Sequence, residues 1–326
     1  MQALTPLADN HLEDALSRYD IGQLRRYWPA SNGIENSNYF VETEQADRQR
    51  RFVLTIMEQP ANAGEAYVAM MDTLFSGGLP VAPPLRNLAD LAIEDVCGKP
   101  ALLQPCLSGQ HVCNPTRKQV SGIARFVARM HLCMDMSDVQ LPVYPRDSKW
   151  LTERSTLTQG YLGYAQTSLL NQSLIQTCSL LQRNDVLNLP QGMIHGDLFR
   201  DNVLFNEHGL SGVLDFHHAA HGYWLYDLAV IANDWCTDAS GLLDAERTLD
   251  MLKAYHQIRP LTDAELWFFS PFCLYAALTF WLSRLSIALT QNQAQRLRFK
   301  NPEEFGRIVD QHQRHGFYVD PRALTP

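Results

Sequence analysis

The stretch MIHGDLFRDNVLF, Met193–Phe205, decides how this chain is read. It places His195, Asp197, Arg200, Asp201 and Asn202 between two apolar runs. Any one of these residues alone is best read as a cap on a turn between buried strands. Their spacing says more. Asn202 follows Asp197 by five residues, and Asp215 comes thirteen residues later in VLDF. The apolar segments 203–205 and 212–214, joined by NEHGLS, predict a short hairpin that carries the chain from Asn202 to Asp215.

Asp, Asn and Asp in this order suit phosphoryl transfer, which is mainly a problem of positioning and charge. One carboxylate, Asp197, would orient an attacking hydroxyl and accept its proton. Asn202 and Asp215 would supply oxygen ligands to Mg²⁺, a hard cation that takes carboxylate, amide and phosphate oxygens. The pattern matches a kinase catalytic loop followed by its metal-binding Asp-Phe.

The surrounding chain predicts two lobes. Residues 9–19 have helical spacing, the runs at 39–41 and 51–57 read as strands, 65–75 as a helix, and 91–96 with 101–104 as a hairpin turning at Gly98-Lys99. Beyond a hinge at Gln104–Gly109, helical patterns fill 117–134, 150–183, 226–236, 243–257, 271–290 and 302–314. The expected fold class is α+β: a small antiparallel β-rich lobe (1–104) and a larger, mainly helical lobe (105–326) with the catalytic loop, metal site and acceptor pocket.

Composition narrows the partners. The 326 residues are 46% hydrophobic and 19% charged, enough for a substantial core. Lys and Arg number 27 against 35 Asp and Glu, and this net charge of −8 speaks against sequence-independent nucleic-acid binding. Seven cysteines without a Cys-x-x-Cys pair, and no leader-like N-terminus, predict free thiols and a cytoplasmic protein. Residues 266–283 carry no formal charge, the lower limit of a membrane span. Ser270-Pro271 reads as a helix start inside that run, which predicts a buried helix and no membrane.

HGDLFRDNVLF with GVLDF is similar to the signature of the aminoglycoside-phosphotransferase and choline-kinase superfamily, protein-kinase-like in fold. Together with NGIENSNYFVET (32–43), RFVLTIME (51–58), LDFHHAAHGYWLYDLAVIANDWC (214–236) and FWLSRL (280–285), it resembles the homoserine kinases built on that fold. The resemblance runs from about residue 5 to about residue 315. It implies ATP as co-substrate, Mg²⁺, and L-homoserine as acceptor, in threonine biosynthesis. It assigns the nucleotide to Asn32, Gly33, Ile34, Glu35, Asn36, Ser37 and Asn38 in a loop with a single glycine, and to Thr55, Gln104 and Cys106. Another small amino alcohol, choline or an amino sugar is the alternative acceptor, and a nucleotide-binding protein without turnover is the second alternative.

Strand three departs from the wider superfamily, with Thr55 where a phosphate-binding Lys is usual. Arg51 shares its face but lies about 13 Å away, at roughly 3.3 Å per residue. Arg200 is therefore expected to join Asp197 as a catalytic group on the γ-phosphoryl oxygens, a surface pair with Asp201 being the plainer reading. A zwitterionic acceptor needs both an anion and a cation, for which Asn233, Asp234, Trp281 and Arg284 are candidates. A structural bridge from Arg284 to Asp234 is an equal alternative. His195 is assigned to loop structure, His131 to a hydrogen-bonded core, and Asp227 to a helix cap or, by the resemblance, to support of the loop. His217, His218 and His221 suggest zinc only weakly, because Gly222 argues against a helix there.

Overall fold

The computed structural model describes residues 4–30, 36–58, 64–290 and 300–324. Two compact units form. The first comprises Met1–Gln110 with Ser137–Gln140 and Leu204–His217; the second comprises His111–Met136, Leu141–Val203 and His218–Pro326.

The first unit is built on strands β1 (Gln23–Pro29), β2 (Ser37–Gln45), β3 (Arg48–Ile56), β4 (Glu94–Val96) and β5 (Lys99–Pro105), with helices α1 (Asp9–Ser17) and α2 (Glu65–Ser76). The antiparallel sheet has the order β1-β2-β3-β5-β4. Alternation sorts its side chains. Tyr39, Val41, Phe52, Leu54, Ile56, Ala101 and Leu103 pack with Leu12 and Leu16 of α1 in one core. Asn38, Phe40, Val53, Thr55 and Gln104 therefore lie on the opposite face. β1 has no apolar alternation. It is an edge strand whose Arg25 and Arg26 pair with Glu44 and Glu42 across the ladder, so hydrophobic pattern alone does not show it.

The hairpin β7 (Val203–Asn206) and β8 (Gly209–Val213) joins the first unit, so no single boundary divides the chain. Backbone bonds explain the placement. Val213 N–H donates to Pro80 O (2.9 Å), and Gln110 and Phe205 exchange bonds of 2.9 and 3.0 Å.

The second unit contains α3 (Arg117–Asp135), α4 (Ser148–Thr158), α5 (Tyr164–Leu181), α6 (Asn184–Leu187), α7 (Trp224–Trp235), α8 (Ala245–His256), α9 (Asp263–Thr290) and α10 (Pro302–Arg314). Strands β6 (Gln191–Ile194) and β9 (Ala220–Tyr223) form a small antiparallel sheet. α9 packs against α4, α5, α7 and α10. Its Phe269, Phe272, Cys273, Ala276, Leu278 and Leu282 are buried, each larger apolar side chain contributing roughly 1.5–3 kcal/mol. By length and composition alone this helix is long and apolar enough to cross a membrane, but most of its apolar window lies inside the unit.

The helix start expected at Ser270-Pro271 is wrong by two turns: α9 begins at Asp263 and carries Pro271 inside it. A capping box sets the true start, in which Glu265 N–H donates to Thr262 Oγ1 (3.2 Å) and Thr262 N–H to Glu265 Oε2 (2.9 Å). TDAE, 262–265, carries that signal in the sequence.

Candidate active site

β6 delivers the chain to the loop His195–Asn202, and α7 supports it from beneath. Asp227, fully buried in the first turns of α7, accepts the backbone N–H groups of His195 (2.9 Å) and Gly196 (2.8 Å). The α7 cap position is Tyr223, so Asp227 is not the N-cap. His131 Nε2 donates to the same carboxylate (3.1 Å), and the Tyr255 hydroxyl meets His131 Nδ1 (2.8 Å). Burial holds the His131 pKa below its ordinary value, against the raising influence of Asp227. The ring stacks on Trp224 at 5.3 Å. Beside it the buried pair Arg259–Glu265 (2.5 Å) sits over Trp224 and Tyr255. Tyr255 lies 124 residues from His131, so nothing local in the sequence announces the contact.

The loop itself is locked around Asp197. Asn202 Nδ2 donates to the Asp197 backbone carbonyl (2.8 Å) and to its Oδ2 (2.9 Å). Asp197 N–H donates to Nδ1 of the buried His195 (3.3 Å). With its amide nitrogen so occupied, Asn202 keeps its carbonyl oxygen for another partner, and no protein donor meets that oxygen among the described residues.

Asp215 belongs to the first unit, directly after the β7–β8 hairpin. Its φ of 60° is left-handed, a conformation Asp tolerates better than most residues. Its carboxylate is exposed, with no hydrogen bond or ion pair among the described residues. Tyr67 of α2 stacks on His217 at 5.0 Å, and burial, then the charge of Asp215, pushes the Tyr67 phenol upward. His221 lies in β9 and His217-His218 in a 3-10 turn, so the three histidines do not share a helix. Among the described residues no cluster of three His, Cys, Asp or Glu is poised for a metal.

The charged and polar side chains expected near the phosphates and the acceptor have the following protein partners. Arg200 does not hang free over the loop: its Nε and Nη2 donate to Asp234 (3.1 and 3.2 Å) and its Nη1 to the Cys113 carbonyl (2.5 Å). The same Asp234 carboxylate accepts the Arg200 backbone N–H (2.7 Å). Burial pushes the Asp234 carboxyl up while Arg200 opposes it. Nor does Arg200 pair with Asp201, which meets Lys300 instead (2.6 Å). Arg284 does not pair with Asp234. It pairs with Glu304 (2.6 Å) over the ring of Phe305. Asn233 is buried between the Cys273 carbonyl (2.8 Å) and His312 Nε2 (2.7 Å), and Trp281 is buried in the core. Charge and helix position single out Arg200, Asp234 and Arg284, but they do not reveal who pairs with whom.

In the first unit, Thr55 Oγ1 donates to Asn38 Oδ1 (2.8 Å), and Asn36 Oδ1 accepts Glu58 N–H (3.2 Å). Ser37 Oγ donates to Glu58 (2.6 Å). Gln104 Nε2 donates to the Ala82 carbonyl (2.6 Å), while Cys106 offers a partly buried thiol that burial pushes up. Arg51 is held by Glu42 (2.6 Å). Asn32, Gly33, Ile34 and Glu35 lie outside the described residues.

Comparison with known proteins bears on the family and the fold. Residues 27–261 match the model of the phosphotransferase enzyme family, APH. The chain is 34% identical over 315 residues to the homoserine kinase of Methylobacillus flagellatus, covering 95% of this chain and 94% of that one. It is 35% identical over 314 residues to the homoserine kinase of Pseudomonas aeruginosa, covering 96% and 97%. Among solved structures it is similar to the amicoumacin kinase hAmiN in complex with AMP-PNP, Ca²⁺ and Ami (TM-score 0.69, 16% identity, 98% of both chains). It is also similar to the choline kinase LicA of Streptococcus pneumoniae (TM-score 0.64, 12% identity, 94% and 99%). Those likenesses show the protein-kinase-like fold, and with the full-length relatives they settle the family: the chain belongs to the phosphotransferase enzyme family and, within it, to the homoserine kinases.

Proposed function

We propose that this protein transfers the γ-phosphoryl group of ATP to the side-chain hydroxyl of L-homoserine, giving O-phospho-L-homoserine and ADP. The observation that carries the chemistry is the locking of Asp197 by Asn202. A carboxylate held at one oxygen and at its own backbone is preorganised to orient a hydroxyl and take its proton. The near-full-length likeness to homoserine kinases supports the acceptor.

Each of two groups suits Mg²⁺ by its chemistry: the Asn202 amide oxygen and the Asp215 carboxylate are hard oxygen donors that meet no protein partner among the described residues, and this ion commonly takes one or two such groups plus phosphates. A bound Mg²⁺ would supply counter-charge to the phosphates. Asp227 keeps the loop in place while the proton moves to Asp197. All seven cysteines are free thiols, which supports a cytoplasmic setting.

Release of ADP from Mg²⁺-ATP, measured against a panel of amino acids, amino alcohols and amino sugars, tests the acceptor. Turnover confined to acceptors that are not amino acids would overturn it. Asp197→Asn should fold and bind nucleotide yet lose roughly 10²–10⁴-fold in kcat, the usual cost of removing a general base. The second reading, a nucleotide-binding protein without turnover, is favoured by Thr55 alone and would require wild type and Asp197→Asn to be equally inert.

A further inference from the structure

We infer that Tyr255 is a positioning residue for phosphoryl transfer: its hydroxyl, on Nδ1 of the buried His131, selects the ring tautomer whose Nε2–H steadies Asp227 and, through Asp227, the backbone next to Asp197. This rests on the phosphoryl-transfer reading above and extends the support of the loop to α8, outside the motifs that announce it. A continuous line of contacts leads there. The Tyr255 hydroxyl lies 2.8 Å from His131 Nδ1, and His131 Nε2 lies 3.1 Å from Asp227 Oδ2. That oxygen also takes His195 N–H (2.9 Å), and Oδ1 takes Gly196 N–H (2.8 Å). Gly196 is bonded to Asp197. Tyr255, His131, Asp227 and His195 are all fully buried, so solvent offers no replacement for a lost partner.

The chemistry of the imidazole makes Tyr255 the deciding partner. Burial, joined by the charge of Arg259, holds the His131 pKa below its ordinary value against Asp227 and Glu265, so the ring is neutral. A neutral imidazole has one N–H and one lone pair. With hydrogen on Nε2 the contact to the Asp227 carboxylate is a bond; with a lone pair there it is a repulsion. Nδ1 must then receive a hydrogen, and the Tyr255 O–H supplies it. Burial raises the Tyr255 phenol far above its ordinary value, so that hydrogen stays on the oxygen to be donated. The bond made by one ring nitrogen thus sets which state the other takes.

Tyr255 is itself held at the end of α8. Its backbone carbonyl accepts the N–H groups of Ile258 (3.0 Å) and Arg259 (2.9 Å). The Arg259 guanidinium, paired with Glu265 (2.5 Å), stands 4.6 Å from the centre of the Trp224 ring and 5.7 Å from that of Tyr255. Trp224 stacks on the imidazole at an interplanar angle of 7°, and the Tyr255 ring meets it edge-on with centres 5.8 Å apart. Packing fixes the plane of the imidazole, and hydrogen bonding fixes which of its nitrogens carries the hydrogen.

The test reads the ring and the rate together. In protein carrying isotope-labelled histidine, NMR signals of the ring nitrogens distinguish a bare nitrogen from a protonated one, and His131→Leu identifies the His131 pair by its loss. Wild type should show Nδ1 bare and Nε2 protonated. Tyr255→Phe removes only the hydroxyl, and should place hydrogen on Nδ1 in part of the molecules. With Mg²⁺-ATP and the acceptor that wild type turns over, its kcat should fall about 2- to 10-fold, the net worth of one hydrogen bond. The KM values for ATP and acceptor should stay within about twofold, which also reports a folded variant. In a His131→Leu background the same substitution should change kcat by less than about twofold, because no tautomer is left to select. A wild-type ring protonated on Nδ1, a Tyr255→Phe ring like that of wild type, an unchanged kcat, or an equal kcat loss in the His131→Leu background would each overturn the inference while leaving the phosphoryl-transfer reading in place. A wild type that turns over no acceptor overturns that reading, and this inference with it.

Discussion

Replacing Asp227 by Asn measures how firmly the loop that bears Asp197 is held. The carboxylate is fully buried and has three donors: Oδ2 takes His195 N–H and His131 Nε2, and Oδ1 takes Gly196 N–H. Asparagine keeps the shape. Retaining its oxygen at the Oδ2 position places an NH₂ against the Gly196 N–H. That orphaned donor costs about 1–3 kcal/mol, and the two remaining bonds each lose about 1 kcal/mol on passing from a charged to a neutral acceptor. The sum, about 3–5 kcal/mol, is a large share of the roughly 5–15 kcal/mol that holds a typical domain together. At about 2–4 °C per kcal/mol for a unit of this size, the melting midpoint should fall by about 6–20 °C. Gly196 is bonded directly to Asp197, so the displaced amide moves the carboxylate. Measured below both midpoints, kcat should fall about 10- to 100-fold, as for a misplacement on the order of 1 Å, with the KM for ATP unchanged. Thermal melting and steady-state ADP release give both quantities. A variant with a wild-type midpoint and a wild-type kcat would refute the reasoning, because the loop would then be held by something other than Asp227.

Arg200→Met should cost about 2 kcal/mol, discounted for partial exposure, by leaving Asp234 without its guanidinium. Its KM for ATP should not change, and a tenfold rise would restore Arg200 to the phosphates. Glu265→Ala removes a buried ion pair and the α9 capping box together, and should lose about 3–5 kcal/mol in denaturant unfolding. A loss below about 1 kcal/mol contradicts that role. Burial depresses the His312 pKa to about 4. The unfolded chain therefore binds a proton that the folded chain refuses as pH falls from about 6.5 to about 4, and stability falls through that window, by on the order of 3 kcal/mol. His312→Gln, which can still donate to Asn233, should flatten the melting midpoint across that range, and an unchanged pH slope would show that other groups set it.

The elements legible in the sequence are those whose signal is local. α3 carries its apolar face at helical spacing and a capping box from Thr116 to Gln119, and it appears where expected. The hairpin from Asn202 to Asp215 is announced by its turn residues, and the loop before it by the spacing of Asp197 and Asn202. β1 escaped because an edge strand held by Arg25 and Arg26 against Glu44 and Glu42 buries little of its own surface. The pairing of the buried charges escaped for a different reason. An Arg in an apolar helix announces that it needs a partner, and only the fold shows that Arg284 finds Glu304 and that Asp234 finds Arg200. Local pattern determines that a charge is buried, and long-range packing determines its counter-charge. Asp227 lies between these cases, since its helix was readable and its grip on residues 195 and 196 spans 32 and 31 positions.

Thr55 leaves a question of charge that the two faces of the first sheet narrow. The strand-three position where relatives of wider kin hold a lysine carries a hydroxyl already given to Asn38. Lys99 in β5 is not a substitute, because alternation puts it with Ala101 and Leu103 on the face that packs against α1. There it is bound to Glu58 and to Thr5 Oγ1 (2.7 Å). Burial alone would raise the Glu58 carboxyl, but Lys99, Ser37 and Thr5 together hold it below its ordinary value, so this lysine is consumed in fixing the end of β3. Arg51, on the opposite face, is consumed by Glu42. Lys99 and Arg51 are thus both spent on closing the sheet. Under the proposed phosphoryl transfer, counter-charge for the phosphates would come from backbone and amide donors and from Mg²⁺. Such a site would depend on its divalent ion more steeply than one with a strand-three lysine, because neither Lys99 nor Arg51 shares the charge.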